Sequence, residues 1–128
     1  MIRKKVLAVD DSSIVRKIIK NAVAALNYDL LEASDGMDAL DVLQKHYEDT
    51  RLILLDWNMP GMNGFDFLLA VKNNRFYRNI PVMMITTEGE KGNIIKAVQA
   101  GVSNYLLKPF RTEELMKKIL DITGTAGE

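Results

Sequence analysis

The sequence predicts an α/β domain built on a doubly wound, five-stranded parallel sheet. Short apolar runs of strand length alternate with stretches whose apolar residues recur every three or four positions. Several of the runs are apolar on successive residues, as strands covered on both faces must be. Strict alternation with short connections implies parallel strands joined by right-handed crossovers, with helices on both sides.

The first strand is read over 4–9, ending on Val6-Leu7-Ala8-Val9, and the first helix over 13–26. Ser12 or Ser13 can cap that helix, and Ile14, Ile18 and Ile19 repeat at helical spacing. A strand at 28–33 and a helix at 37–47 with Leu40 and Leu43 follow. Leu52-Ile53-Leu54-Leu55 marks a strand over 51–55, and Phe65, Leu68 and Leu69 mark a helix over 64–74. Val82-Met83-Met84-Ile85 belongs to a strand over 81–86, in which the methionines read as core filler. A helix over 91–100 comes next, with Gly89 and Gly92 lowering propensity near its start by about 1 kcal/mol each. Tyr105-Leu106-Leu107 lies in a strand over 103–107, where Tyr105 alone reads as a half-buried strand aromatic. The last helix, 112–122, opens on Thr112, Glu113 and Glu114 and carries Leu115, Ile119 and Ile122. Gly36, Gly61, Gly64 and Gly101 punctuate loops or helix ends.

Length and composition narrow the function classes. At 128 residues one domain is expected, with a core over about 4–122 and a small polar tail over 123–128 that should fray. Lys plus Arg equals Asp plus Glu at 17 each, so nothing recommends nucleic acid or an anionic membrane as partner. There is no cysteine, which excludes a disulfide scaffold, a thiolate nucleophile and a cysteine metal site. The apolar run after Arg3-Lys4-Lys5 stops at Asp10, too short for a signal peptide, and no later run could span a bilayer. A cytoplasmic monomer is expected. The lone His46 sits among polar neighbours and reads as a solvated helix residue.

The chemistry lies just past the apolar runs. Asp10 and Asp11 follow the first strand, Asp56 the third, Thr86 ends the fourth and Lys108 follows the fifth. Parallel strands bring all five to the carboxyl edge of one sheet, where sites form in open α/β sheets. Three carboxylates there repel one another by about 4 kcal/mol per pair at ~4 Å and an effective dielectric of about 20. They therefore call for a cation, and magnesium suits them because it accepts one or two carboxylates, waters and phosphate oxygens. Thr86 and Lys108 supply a hydroxyl and an ammonium for an anion. This is the equipment for putting a phosphoryl group on a carboxylate. Turn preference explains any one aspartate, but explains the joint pattern poorly.

Val9-Asp10-Asp11-Ser12-Ser13, Asp56 through Gly64, Ile85-Thr86 and Leu107-Lys108-Pro109-Phe110 resemble the signatures of the response-regulator receiver family. Asp56-Trp57-Asn58-Met59-Pro60, Glu88 and Asn93 through Gly101 further resemble its stand-alone chemotaxis members. The resemblance covers residues 4 to 122. It implies a flavodoxin-like fold with strand order 2-1-3-4-5. It implies that Asp56 accepts a phosphoryl group from a sensor histidine kinase, making the chain a switch rather than a turnover enzyme. Asp11, Asp56 and the Asn58 carbonyl would hold magnesium directly, and Asp10 through water. Thr86 and Lys108 would bind phosphoryl oxygens, Asn58 and Glu88 would tune dephosphorylation, and Lys108-Pro109 would be cis. Tyr105 would be the switch aromatic, on an output surface with Lys91, Ile94 and Lys118. Lys96 and Lys117 share these two helices and otherwise read as part of a solvated face. The implied partners are the kinase, an output protein such as a flagellar motor switch component, and a phosphatase. A phosphorelay receiver, or one serving another pathway, is the alternative. Two positions depart from the family pattern: Thr87 replaces a smaller residue, which should narrow access, and Asn63 replaces an aspartate in a loop outside the metal shell.

Two other classes fit less well. A haloacid-dehalogenase-type phosphatase needs an acid two residues after its nucleophile, where this chain has Asn58. A flavin carrier needs a phosphate-binding loop after the first strand, where Asp10 and Asp11 would repel the phosphate.

Overall fold

Ten regular elements alternate in the computed structural model, which describes residues 3–124. They are β1 (Lys5–Val9), α1 (Ser13–Ala25), β2 (Asp29–Ala33), α2 (Gly36–His46), β3 (Thr50–Leu55), α3 (Gly64–Lys72), β4 (Val82–Thr86), α4 (Lys91–Gln99), β5 (Asn104–Leu107) and α5 (Thr112–Thr123). A 3-10 turn over Tyr47–Asp49 links α2 to β3. All strands are parallel and run in the order β2-β1-β3-β4-β5, as expected.

The successive apolar residues of β1, β3 and β4 divide between two cores because strand side chains alternate faces. Leu7, Val9, Ile53, Leu55, Val82 and Met84 pack with Ala39 and Leu43 of α2, Phe67, Leu68 and Val71 of α3, and Ala97 of α4. Val6, Ala8, Leu52, Leu54, Met83 and Ile85 pack with Ile19, Ala22 and Val23 of α1 and Leu115 and Ile119 of α5. Each large side chain fully buried here contributes about 1.5–3 kcal/mol.

Most helix starts are capped from within. Ser12 Oγ accepts from Val15 N–H at 3.2 Å, Asp35 Oδ1 from Asp38 N–H at 2.8 Å and Asn63 Oδ1 from Asp66 N–H at 2.9 Å. At α5, Glu114 Oε1 accepts from Arg111 N–H at 3.1 Å, so Thr112 is the first helical residue and not the cap. Helix α4 has no side-chain cap, and Ala97 is its one fully buried residue.

Several expectations need correction. Ile14 and Ile18 do not face the core: Ile14 is 74% exposed, and α1 packs instead through Ile19, Ala22 and Val23. The two isoleucines sit four apart, on the stripe next to the one that meets the sheet. Leu69 likewise lies outward on α3. Helix α3 ends at Lys72 rather than 74, and α5 runs to Thr123, where Gly124 takes a φ of 78°. Thr123, placed by expectation in the fraying tail, is helical, and residues 125–128 of that tail lie outside the described residues.

Gly64 is where the fold constrains the site most directly. A Cβ there would stand 2.0 Å from the carbonyl oxygen of Asp56 and 2.8 Å from Trp57 Cα. Both obstacles are backbone. Gly64→Ala should cost more than about 3 kcal/mol, at or beyond the usual range for overpacking. Gly92→Ala, where nothing lies within 4 Å, should change stability by less than about 1 kcal/mol. Urea unfolding of the two variants beside the parent checks both.

Candidate functional site

Backbone bonds of the sheet place the two central acids. Asp10 N–H donates to Ala33 O at 3.0 Å, and Asp56 N–H donates to Val9 O at 2.9 Å. Both residues therefore prolong the ladder by one step past β1 and β3. Their side chains are nearly sealed from solvent, with residue exposures of 2% and 6%. Asp11 remains exposed beside them. One oxygen from each of Asp10, Asp11 and Asp56 can be chosen so that all three lie within 4.8 Å of one another.

Lys108 enters from the end of β5. Its Nζ lies 2.8 Å from Asp10 Oδ2 and 3.2 Å from Asp56 Oδ2. Its backbone N–H donates to Thr86 O at 2.9 Å, and the Lys108-Pro109 bond is cis, as expected. Burial is the largest influence on both partners. It raises the Asp10 pKa above the usual aspartate value, the nearby Asp56 charge adds to this, and the bonds from Lys108 and Ser12 N–H oppose it. Burial alone would lower the Lys108 pKa, but the bond to Asp10 and the charges of both carboxylates outweigh it and raise that pKa.

The remaining groups surround this triad. Asp56 Oδ1 accepts from Asn58 N–H at 3.3 Å. Thr86 is fully buried, and its Oγ1 accepts from Glu88 N–H at 3.2 Å. Glu88 Oε1 accepts from Glu90 N–H at 3.0 Å, and Glu88 O accepts from the Tyr105 hydroxyl at 2.7 Å. Tyr105 is thus half-buried and anchored on the β4–α4 loop. Thr87 is exposed. Lys91 is exposed, Ile94 is half-buried, and Lys118 Nζ reaches Asn104 Oδ1 at 3.4 Å. These three lie on α4 and α5, away from the carboxylate cluster. Asn63 lines an open groove with Asp11, Trp57, Asn58, Met59 and Pro60, and its Oδ1 is occupied in capping α3.

The contacts made by Arg16, Phe65 and Lys96 are absent from the sequence reading. Arg16 Nη1 donates to the Asp10 carbonyl oxygen while its Nε pairs with Glu32 Oε1 at 3.0 Å. Its place one turn after the Ser12 cap was the available signal. Phe65 stacks on Trp57, and Lys96 lies over Phe65; no spacing rule reveals that pair.

A sheet of this order, with buried acids and a bridging lysine at its carboxyl edge, is the architecture of a receiver. The family model for the response regulator receiver domain matches residues 6–120, and the chain belongs to that family. Within the family it is similar to chemotaxis proteins of the CheY type. A CheY homolog of Campylobacter jejuni is 46% identical over 124 residues, covering 96% of this chain and 95% of that protein. The crystallised chemotaxis response regulator CheY4 of Vibrio cholerae superposes with a TM-score of 0.86 at 35% identity, covering 94% of this chain and 99% of that one. The manganese-bound form of response regulator Rcp1 gives a TM-score of 0.77 at 29% identity, covering 93% and 91%. The family sets aside the haloacid-dehalogenase-type phosphatase and the flavin carrier. No helix among the described residues is long and apolar enough to cross a membrane.

The raised Asp10 pKa means that the folded state keeps this proton to higher pH than the unfolded chain does. The resulting stabilisation is complete below the ordinary aspartate value of 3.8 and is lost as pH rises through the higher folded value. Without added divalent cation, stability should decline over that interval, and Asp10→Asn should flatten the decline. Urea midpoints collected from acid to neutral pH provide the comparison.

Proposed function

We propose that this chain is a phosphorylation-activated switch of a chemotaxis-type two-component pathway, with Asp56 as phosphoacceptor. A carboxylate oxygen of Asp56 attacks the phosphorus of a phosphohistidine on a sensor histidine kinase. The P–N bond breaks, its electron pair stays on the imidazole, and an aspartyl phosphate forms. The observation that carries this reading is the Asp56 carboxylate at the carboxyl end of β3, sharing the Lys108 ammonium with Asp10.

The donor set suits a hard divalent cation. The 4.8 Å spread of three carboxylate oxygens is close to the roughly 4 Å between opposite ligands of an octahedral ion with ~2.1 Å bonds. Asp11, Asp56 and the Asn58 carbonyl would hold it, with Asp10 beside them. When bound, magnesium supplies charge neutralisation for the entering phosphoryl oxygens. Lys108 is already within reach of Asp56 Oδ2 and exchanges that oxygen for a phosphoryl oxygen. The Thr86 oxygen accepts from Glu88 N–H, which leaves its hydroxyl proton to be donated to a second phosphoryl oxygen.

The β4–α4 loop carries the response. Turning Thr86 toward the phosphoryl group disturbs a loop that Tyr105 holds at the Glu88 carbonyl, and so biases the surface bearing Lys91, Ile94, Tyr105 and Lys118. Asn58 and Glu88 border the path of an attacking water and tune the lifetime of the phosphoryl group, and exposed Thr87 narrows that path. The output is binding to another protein, a flagellar motor switch component in the chemotaxis reading, with a phosphatase as further partner. The chemotaxis names of the relatives favour this over a phosphorelay. The chain works as one soluble cytoplasmic domain and a monomer.

Acetyl phosphate with magnesium should therefore add one hydroxylamine-labile phosphoryl group, and Asp56→Asn should eliminate it. Intact-protein mass spectrometry reads the outcome, and labelling that persists in Asp56→Asn would overturn the assignment. Thr86→Ala should still be phosphorylated, yet lose most of the phosphorylation-dependent gain in partner affinity. That gain is expected on the order of 5- to 150-fold. Titrating a motor-switch peptide with and without beryllofluoride measures it.

A further inference from the structure

Helix α4 is lightly held on the domain. It has no side-chain cap, only Ala97 is fully buried, and Ile95 and Val98 lie exposed. Its N-terminal approach is fixed by the Tyr105 bond to Glu88 O. Its C-terminal half has a different attachment. Lys96 Nζ lies 4.4 Å from the centroid of the Phe65 ring. Phe65 stacks on Trp57 at 5.4 Å, with 29° between planes. Trp57 directly follows Asp56, and its carbonyl accepts from Gly64 N–H at 2.8 Å, next to Phe65. Among the described residues no carboxylate pairs with Lys96, so the ring face is its recorded electrostatic partner.

We infer that Trp57, Phe65 and Lys96 form a ladder that couples the phosphoryl-accepting loop to the C-terminal half of α4, independently of Thr86 and Tyr105. Phe65 and Lys96 are positioning residues: neither touches the reacting atoms. A shift of the loop after Asp56 moves the indole and the ring stacked on it. The ammonium over that ring then gains or loses its quadrupole partner. Because α4 has little buried surface to resist, a small change in this contact alters how firmly the helix is docked. The inference rests on Asp56 being the phosphoryl site. It adds to that reading a second point at which the output helix feels the load.

The test is amide hydrogen exchange of α4 in the parent, Lys96→Met, Phe65→Leu and the double variant, each with and without beryllofluoride and magnesium. Lys96 is exposed, so Lys96→Met should fold normally. Each single substitution should speed exchange in α4 by about two- to fivefold, matching a surface cation–π contact. The double variant should be no faster than the worse single one, because both remove the same contact. Beryllofluoride should change α4 exchange less in the variants than in the parent, while fluorine NMR shows it bound equally to all four. Unchanged α4 exchange in Lys96→Met, multiplicative effects in the double variant, or an undiminished beryllofluoride response would each overturn the ladder. Failure of the parent to bind beryllofluoride would instead overturn the reading of the Asp56 site, and the coupling with it.

Discussion

Two aspartates are buried side by side at the edge of the sheet, and one lysine keeps them there. Asp10 and Asp56 would repel by several kcal/mol at such a separation in a partly desolvated setting. Lys108 lies within 3.2 Å of both and resolves the conflict by offering one ammonium to two carboxylates. Asp11, exposed beside them, adds a third carboxylate to the cluster. In the proposed function a divalent cation would satisfy them better, and Lys108 could then turn to an incoming phosphoryl oxygen. Ion binding and phosphoryl binding would therefore draw on the same few oxygens that pair with Lys108 in the resting domain. Much of the surrounding structure serves to hold those oxygens still: the strand-end bonds, the Arg16 clamp on the Asp10 carbonyl, and Gly64 against Asp56.

Much of this was legible in the sequence because strand chemistry is local. A run such as Leu52-Ile53-Leu54-Leu55 has one sensible environment, and a polar residue after it falls at the sheet edge whatever the helices do. That logic located Asp10, Asp56, Thr86 and Lys108. Helix faces were less legible. Ile14 and Ile18 have the right spacing for a core stripe, yet Ile19, Ala22 and Val23 form it, because the rotation of α1 is set by its fit to β1, β2 and α5. The Arg16 clamp, the anchored hydroxyl of Tyr105 and the Phe65–Lys96 contact depend on side-chain reach between elements distant in sequence, which periodicity does not encode.

Stability is distributed unevenly around the sheet. Helices α1 and α5 close one face and α2 and α3 cover most of the other, each with two or three buried apolar side chains. Helix α4 has one. The face proposed to answer the site is thus the one whose helix is least committed to the core. Its apolar residues Ile95, Val98 and nearby Leu107 remain exposed at a cost the large core easily carries. With a single fully buried residue among those described, α4 has the least apolar burial to oppose local opening.

The strand-end bonds have one more consequence. Asp10 and Asp56 each sit one residue beyond a paired strand, tied by Asp10 N–H to Ala33 O and Asp56 N–H to Val9 O. The separation of their backbones is therefore an interstrand spacing, about 4.8 Å, which peptide geometry fixes and side-chain volume does not. Valine may become isoleucine beneath them, and the helices may slide to accommodate it, without altering that gauge. The site can thus outlast wide divergence of the sequence that supports it. What drift cannot easily survive is an insertion or deletion within β1 or β3, because a one-residue slip turns one acid to the opposite face of the sheet.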